Sequence, residues 1–181
     1  MKRLALLLLL SATVFSTYAQ DEKWRTLKSS EGEFRMKMPG EWEAKRIPFG
    51  PPETPTTLHI NEYNSNKKTP AENVRYAVSW ADLQQEINVD DHAAVQNIFD
   101  GQIDRVTSEL HGGIPVSDQV TRYQGYPGLD VELNYDNERG KIFMRMFLVH
   151  NRLYLLEVTG MAGAINRENL DRFFESLEIK F

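Results

Sequence analysis

Apolar and polar positions alternate most clearly over residues 125–160, where the pattern predicts three consecutive antiparallel strands. Leu129, Val131, Leu133 and Tyr135 interleave with Asp130, Glu132, Asn134 and Asp136, the period-two signature of a strand with one wet face. Residues 141–149 are apolar on both faces except at Arg145, as expected of a central strand covered from each side. His150-Asn151 then turns the chain into a third strand over residues 153–159.

Upstream, residues 24–28 and 33–38 read as a hairpin around Ser29-Ser30-Glu31-Gly32. Trp24, Thr26 and Lys28 alternate there with Arg25 and Leu27, while Phe34, Met36 and Met38 share one face of the second strand. Pro39-Gly40 ends that strand. Residues 43–47 form a further short strand, and residues 48–55 a stiff loop with too many prolines to pair. Residues 57–63 are the next strand. The segment after it carries two signals. Thr69-Pro70-Ala71-Glu72 has the form of a helical capping box. Val74, Tyr76, Val78 and Trp80 alternate as β-formers do, and a strand over residues 74–81 is the expectation.

Asp90-Asp91 open a helix whose apolar stripe is Val95, Ile98, Phe99, Ile103, Val106 and Leu110, stopped by Gly112-Gly113. Residues 116–123 form a mostly polar strand, expected near an edge, and Gly125-Tyr126-Pro127-Gly128 turns into the meander. A second helix follows, capped by Asn166, with Leu170, Phe173, Phe174 and Leu177 all expected against the sheet. Residues 178–181 can close as a short strand. With no repeat or linker, residues 20–181 read as one domain.

The N-terminus changes the picture. Lys2-Arg3, an apolar run from Leu4 to Phe15 and Thr17-Tyr18-Ala19 predict a signal peptide cut after Ala19. The run is shorter than a spanning helix needs, and no other segment is as apolar, so no transmembrane segment is expected after cleavage. The expected location is periplasmic or secreted. The chain has no cysteine, which rules out disulfides, thiol catalysis and lipidation at the cleavage site. Loss of Lys2 and Arg3 takes the net charge from −5 to −7. So acidic a chain, without a basic run, argues against nucleic acid as a partner.

Candidate chemistry is sparse. His59, His92, His111 and His150 lack metal-motif spacing. Asp90-Asp91-His92 is explained by helix capping, and residues 134–138 by a hairpin turn rather than a calcium loop. No nucleophile elbow or phosphate loop is present. We therefore expect no catalytic residues, no metal site and no cofactor.

Several segments read together do resemble a known family: FRMKMPGEW (34–42), YAVSW (76–80), GYPG (125–128), RMFLVHNRLYLLEVTG (145–160) and FFESLEIKF (173–181). They are similar to the PsbP-like group, which includes DcrB-type bacterial envelope proteins. The resemblance implies an α+β fold, a twisted antiparallel sheet flanked by two main helices in an α/β/α sandwich, and an accessory or binding role. The leading expectation is a non-enzymatic module that docks an envelope or secreted protein. Alternatives are a small-ligand carrier, suggested by Trp42, Trp80, Phe143 and Tyr154, and a hydrolase with an unrecognised carboxylate pair.

One candidate site follows from strand register. A two-residue loop at Asn137-Glu138 sets Arg145 opposite Asp130, and a four-residue loop sets it opposite Glu132. Either way Leu129, Val131, Leu133, Ile142, Met144, Met146, Leu148, Leu153 and Leu155 share one apolar face. The other face carries Asp130, Glu132, Phe143, Arg145, Phe147, Tyr154 and Leu156. Covered by a helix, it holds a buried ion pair; left open, its charges and aromatics form a binding surface.

Overall fold

The protein is described by a computed structural model covering residues 23–67, 69–110 and 113–180. The expected signal peptide, His111, Gly112 and Phe181 lie outside the described residues. The elements are β1 (Arg25–Ser29), β2 (Phe34–Met38), β3 (Glu43–Phe49), β4 (Thr56–Asn64), β5 (Val74–Asp82), α1 (His92–Glu109), β6 (Ile114–Tyr123), β7 (Tyr126–Tyr135), β8 (Gly140–Val149), β9 (Arg152–Met161), α2 (Arg167–Glu175) and β10 (Glu178–Ile179). Seven strands form one antiparallel sheet in the order β3-β4-β5-β9-β8-β7-β6, and β1-β2-β10 form a second, smaller one. The α+β class expected from the sequence is what the chain adopts.

The meander sets the register. β7 and β8 place Asp130 opposite Arg145, the register of the first alternative, but the loop is the four residues 136–139 between the paired Tyr135 and Gly140 rather than Asn137-Glu138 alone; β8 and β9 close through His150-Asn151 with Val149 opposite Arg152. The expected apolar face, from Leu129 through Leu155, is buried against Val95, Phe99 and Val106 of α1. The opposite face, with Tyr76, Val78, Phe147, Tyr154, Leu156 and Val158, is covered by α2 and the small sheet. Each face of the large sheet thus has its own core. Two tyrosines tie the second core to its cover. The Tyr154 hydroxyl donates to the Gly32 carbonyl at 2.9 Å, and the Tyr123 hydroxyl donates to the Leu177 carbonyl at 2.9 Å while accepting from the Ile179 amide at 3.1 Å. Each such bond satisfies a polar group at the edge of an apolar layer.

Several expectations are corrected. β3 does not stop before Pro48 but runs through it, with Pro48 opposite Thr57 and Phe49 opposite Thr56. β3 is an edge strand, so proline's missing N–H costs no ladder bond if it faces outward. The sequence left open which row of β1 is buried; it is that of Leu27, which faces Met36. The two signals at residues 69–81 are both expressed: Pro70–Glu72 makes a single 3-10 turn and β5 follows at once. The meander turn is Gln124-Gly125, both with positive φ (50° and 91°), rather than residues 125–128. Pro127 therefore lies inside β7, and pairing with β8 begins just beyond it at Gly128. A Cβ at Gly128 would sit 2.7 Å from the Met146 carbonyl oxygen, so this close approach requires glycine. Phe173 is fully buried and meets Tyr76 edge-on, but Phe174 is only half-buried.

Charges are organised as well as apolar groups. Lys45 on β3 bonds Glu62 on β4, Glu62 accepts from Arg75 on β5 at 2.9 Å, and Arg75 bonds Glu157 on β9. The chain of ion pairs crosses four adjacent strands. Burial pushes the Glu62 carboxyl up, but the bonds from Lys45 and Arg75 outweigh it and hold the group below its usual range.

Two outcomes follow. Phe173→Ala should cost about 3–5 kcal/mol in denaturant unfolding, and Phe174→Ala clearly less; equal costs would contradict the different burial of the two rings. A carboxyl depressed in the folded state stabilises above its unfolded pKa and loses that stabilisation as pH falls through the folded value. Melting temperature should therefore drop below about pH 4.3, the ordinary glutamate value. Glu62→Gln should melt lower at pH 7 and show a shallower acid limb; an unchanged limb would exclude Glu62 as a contributor.

Candidate functional site

The small sheet and α2 cover the second face only in part. Toward β7 and β6 a cleft of about 190 Å³ stays open between the sheet and α2. The sheet side is built by strand alternation, which sends Asp130, Glu132, Phe143 and Arg145 to this face. The helix side is Arg167, Asp171 and Phe174, at i, i+4 and i+7 beside the buried stripe of Leu170 and Phe173.

Arg145 and Asp130 form a two-pronged pair, with Nε on Oδ1 and Nη2 on Oδ2, both at 2.7 Å. Their side chains are 25% and 31% exposed, so water reaches the pair. Glu132 does not face Arg145 and bonds Lys141 instead. The rings carry cations: the Arg145 guanidinium lies 5.1 Å from the Phe174 centroid, and Arg167 lies 6.0 Å from that of Phe143. Arg167 also pairs with Asp171 at 3.2 Å. The cleft therefore presents guanidinium groups over aromatic rings, each also paired with a carboxylate.

Of the six residues singled out from the sequence, Asp130, Glu132, Phe143 and Arg145 meet in this cleft. Phe147 and Tyr154 do not. They are 3% and 1% exposed and lie within the core beneath the small sheet. The reason is the cover itself: β1, β2 and β10 are distant in sequence, and nothing in the meander shows how far they reach. Arg167, Asp171 and Phe174 were not anticipated, although their spacing along one helix face was a usable signal.

A second depression, of about 610 Å³, lies between the β1–β2 turn and β3–β4. Trp42 and Trp80 both line it, and the His59 ring stacks on Trp80 at 4.8 Å with a 15° tilt. Lys28, Lys45 and Arg46 stand around it, with Glu31 bonded to Arg46 at 2.9 Å. Of the four aromatics considered for a carrier, two share this hollow, Phe143 lies in the cleft and Tyr154 is buried. The acid pair at the start of α1 is accounted for locally: Asp91 caps the helix, accepting from the Ala93 and Ala94 amides at 3.1 Å.

No protein-family model and no curated sequence matches this chain. Among solved structures, cyanobacterial PsbP (CyanoP) from Synechocystis sp. PCC 6803 superposes with a TM-score of 0.57 at 9% identity, over 87% of this chain and 93% of that one. PA94 from Pseudomonas aeruginosa, a protein of unknown function, is similar at a TM-score of 0.45 and 12% identity, over 66% of this chain and 85% of that one. The first likeness shows a PsbP-like fold, in agreement with the motifs quoted above.

Because water reaches the Arg145–Asp130 pair, Arg145→Ala should cost about 1 kcal/mol and leave the fold intact. Denaturant unfolding checks this. A loss near 3–5 kcal/mol would mark a fully buried pair instead.

Proposed function

We propose that this chain is a non-enzymatic accessory module, exported by residues 1–19 to the periplasm or the medium, that docks a protein partner through the cleft between α2 and β6–β8. We place it with DcrB-type envelope proteins within the PsbP-like group, on the segments quoted above. The observation that carries the docking role is the pair of arginines lying over aromatic rings, Arg145 over Phe174 and Arg167 over Phe143, in a cleft that stays open to water. Arginine and large aromatics dominate binding energy where proteins meet. Their ion pairs hold the guanidiniums in place, which lowers the entropy lost on docking.

A second reading is favoured by one observation. The hollow holding Trp42, Trp80 and His59 has a volume suited to a small ligand, and Lys28, Lys45 and Arg46 give it a positive rim in an acidic chain. It fits a small anionic aromatic compound, carried between the two sheets.

One experiment separates these readings. The protein is captured from an envelope extract of its own host and examined by native mass spectrometry. A partner held by wild type and about tenfold less by Phe143→Ala and Arg145→Ala, both folded, supports docking at the cleft. A co-purifying small molecule absent from Trp42→Ala supports the carrier. Equal capture by wild type and both cleft variants would remove the cleft as the docking site.

A further inference from the structure

The large sheet ends in two edges of different character. β3 carries Lys45, Arg46 and Pro48, features that blunt an edge against pairing. β6 is different. It is solvent-exposed along most of its length, and Ile114, Val116 and Val120 on it are 61%, 53% and 76% exposed.

The geometry of β6 fixes which backbone groups it offers. The two-residue turn Gln124-Gly125 makes Tyr123 and Tyr126 the pair that exchanges hydrogen bonds. Alternation then turns the N–H and C=O groups of Arg122, Val120 and Asp118 away from β7, onto the open edge. At the other end the ladder is irregular between Pro115 and Ser117, and Pro115 has no N–H. The regular open stretch is therefore residues 117–123, and its centre is Val120.

We propose that this edge joins two copies of the chain, the β6 strands pairing antiparallel about a two-fold axis through Val120. In that register Val120 faces Val120 of the second copy. Asp118 faces Arg122, and by symmetry Arg122 faces Asp118. All three side chains lie on the α1 face, because Asp118 and Val120 are registered on Val131 and Leu129. The row acid–apolar–base is its own complement when reversed, which is what a two-fold contact demands. Other symmetric registers that keep the bonding phase are worse. Moving the axis to Gln119 or Thr121 sets Val120 against a charge. Moving it to Asp118 or Arg122 sets like charges face to face, which is unfavourable. Asp118, Val120 and Arg122 are all exposed, and Arg122 donates to the Gly125 carbonyl at 2.8 Å through one nitrogen of its fork. The result is one sheet continuous through both copies, with both α1 helices on one face and both clefts on the other. This inference uses the opposite face from the cleft and does not depend on the docking role.

The test is sedimentation equilibrium of protein expressed from the full-length sequence, over roughly 1–100 μM. Wild type should show the mass of two chains. Asp118→Arg and Arg122→Asp should each weaken association at least about tenfold, by placing like charges opposite each other twice. The double variant Asp118→Arg/Arg122→Asp should restore it, since the swapped pairs match again. Val120→Pro removes an outward N–H without touching the ladder to β7, so it should give a folded monomer. A wild type monomeric throughout that range, single charge variants that associate like wild type, or a double variant that stays as weak as the singles would each overturn the proposal.

Discussion

The structure depends on one constraint: β8 is apolar on both faces, so both faces of the sheet must be dried at once. Ile142, Met144, Met146 and Leu148 point into the core under α1, and Phe147 and Val149 into the core under α2 and the small sheet. At about 25 cal/mol per Å² of apolar surface removed from water, neither face can be left bare without a large loss. A slip of one residue would exchange the faces and put Arg145 into the α1 core. The chain route follows from this. From β5 it crosses one face as α1, opens the far edge as β6, and returns through β7, β8 and β9 to pair with β5. The last segment then covers the other face.

Polar groups mark the limits of the two cores. The ion pairs from Lys45 to Glu157 run across β3, β4, β5 and β9. Arg152 does the same at a corner, holding Asp82 with bonds of 2.6 and 2.9 Å and reaching Glu33 at 2.9 Å. The hydrogen bond from Arg152 holds the Asp82 carboxyl below its usual range. This corner ties β5, β9 and the β1–β2 turn together, so the small sheet is fixed to the large one by charge as well as by the Tyr154 and Tyr123 hydroxyls.

The cleft and the β6 edge are where this economy of cover ends. α2 is nine residues long, enough to bury Leu170 and Phe173 but not to reach across β7 and β6. Of the charges left at its margin, Asp130 and Arg145 pair with each other and Arg167 pairs with Asp171, and both arginines lie over aromatic rings. The two-fold contact proposed through β6 would set two of these clefts side by side.

The sequence by itself determined the local periods: the meander, its register up to two alternatives, the α1 stripe, the Asp91 and Asn166 caps, and the polar character of β6. These are decided by neighbours two to four residues apart, so they are legible without the fold. The choice of Asp130 over Glu132 was not, because both registers bury the same apolar row and only the turn geometry at residues 136–139 separates them. Nor was the continuation of β3 through Pro48, which depends on β3 lying at an edge. Tertiary structure alone decided what lies over the second face. The motifs that put Phe147 and Tyr154 on one face with Arg145 were read correctly. The small sheet, assembled from residues more than a hundred positions apart, buried the first two and left the arginine at the margin.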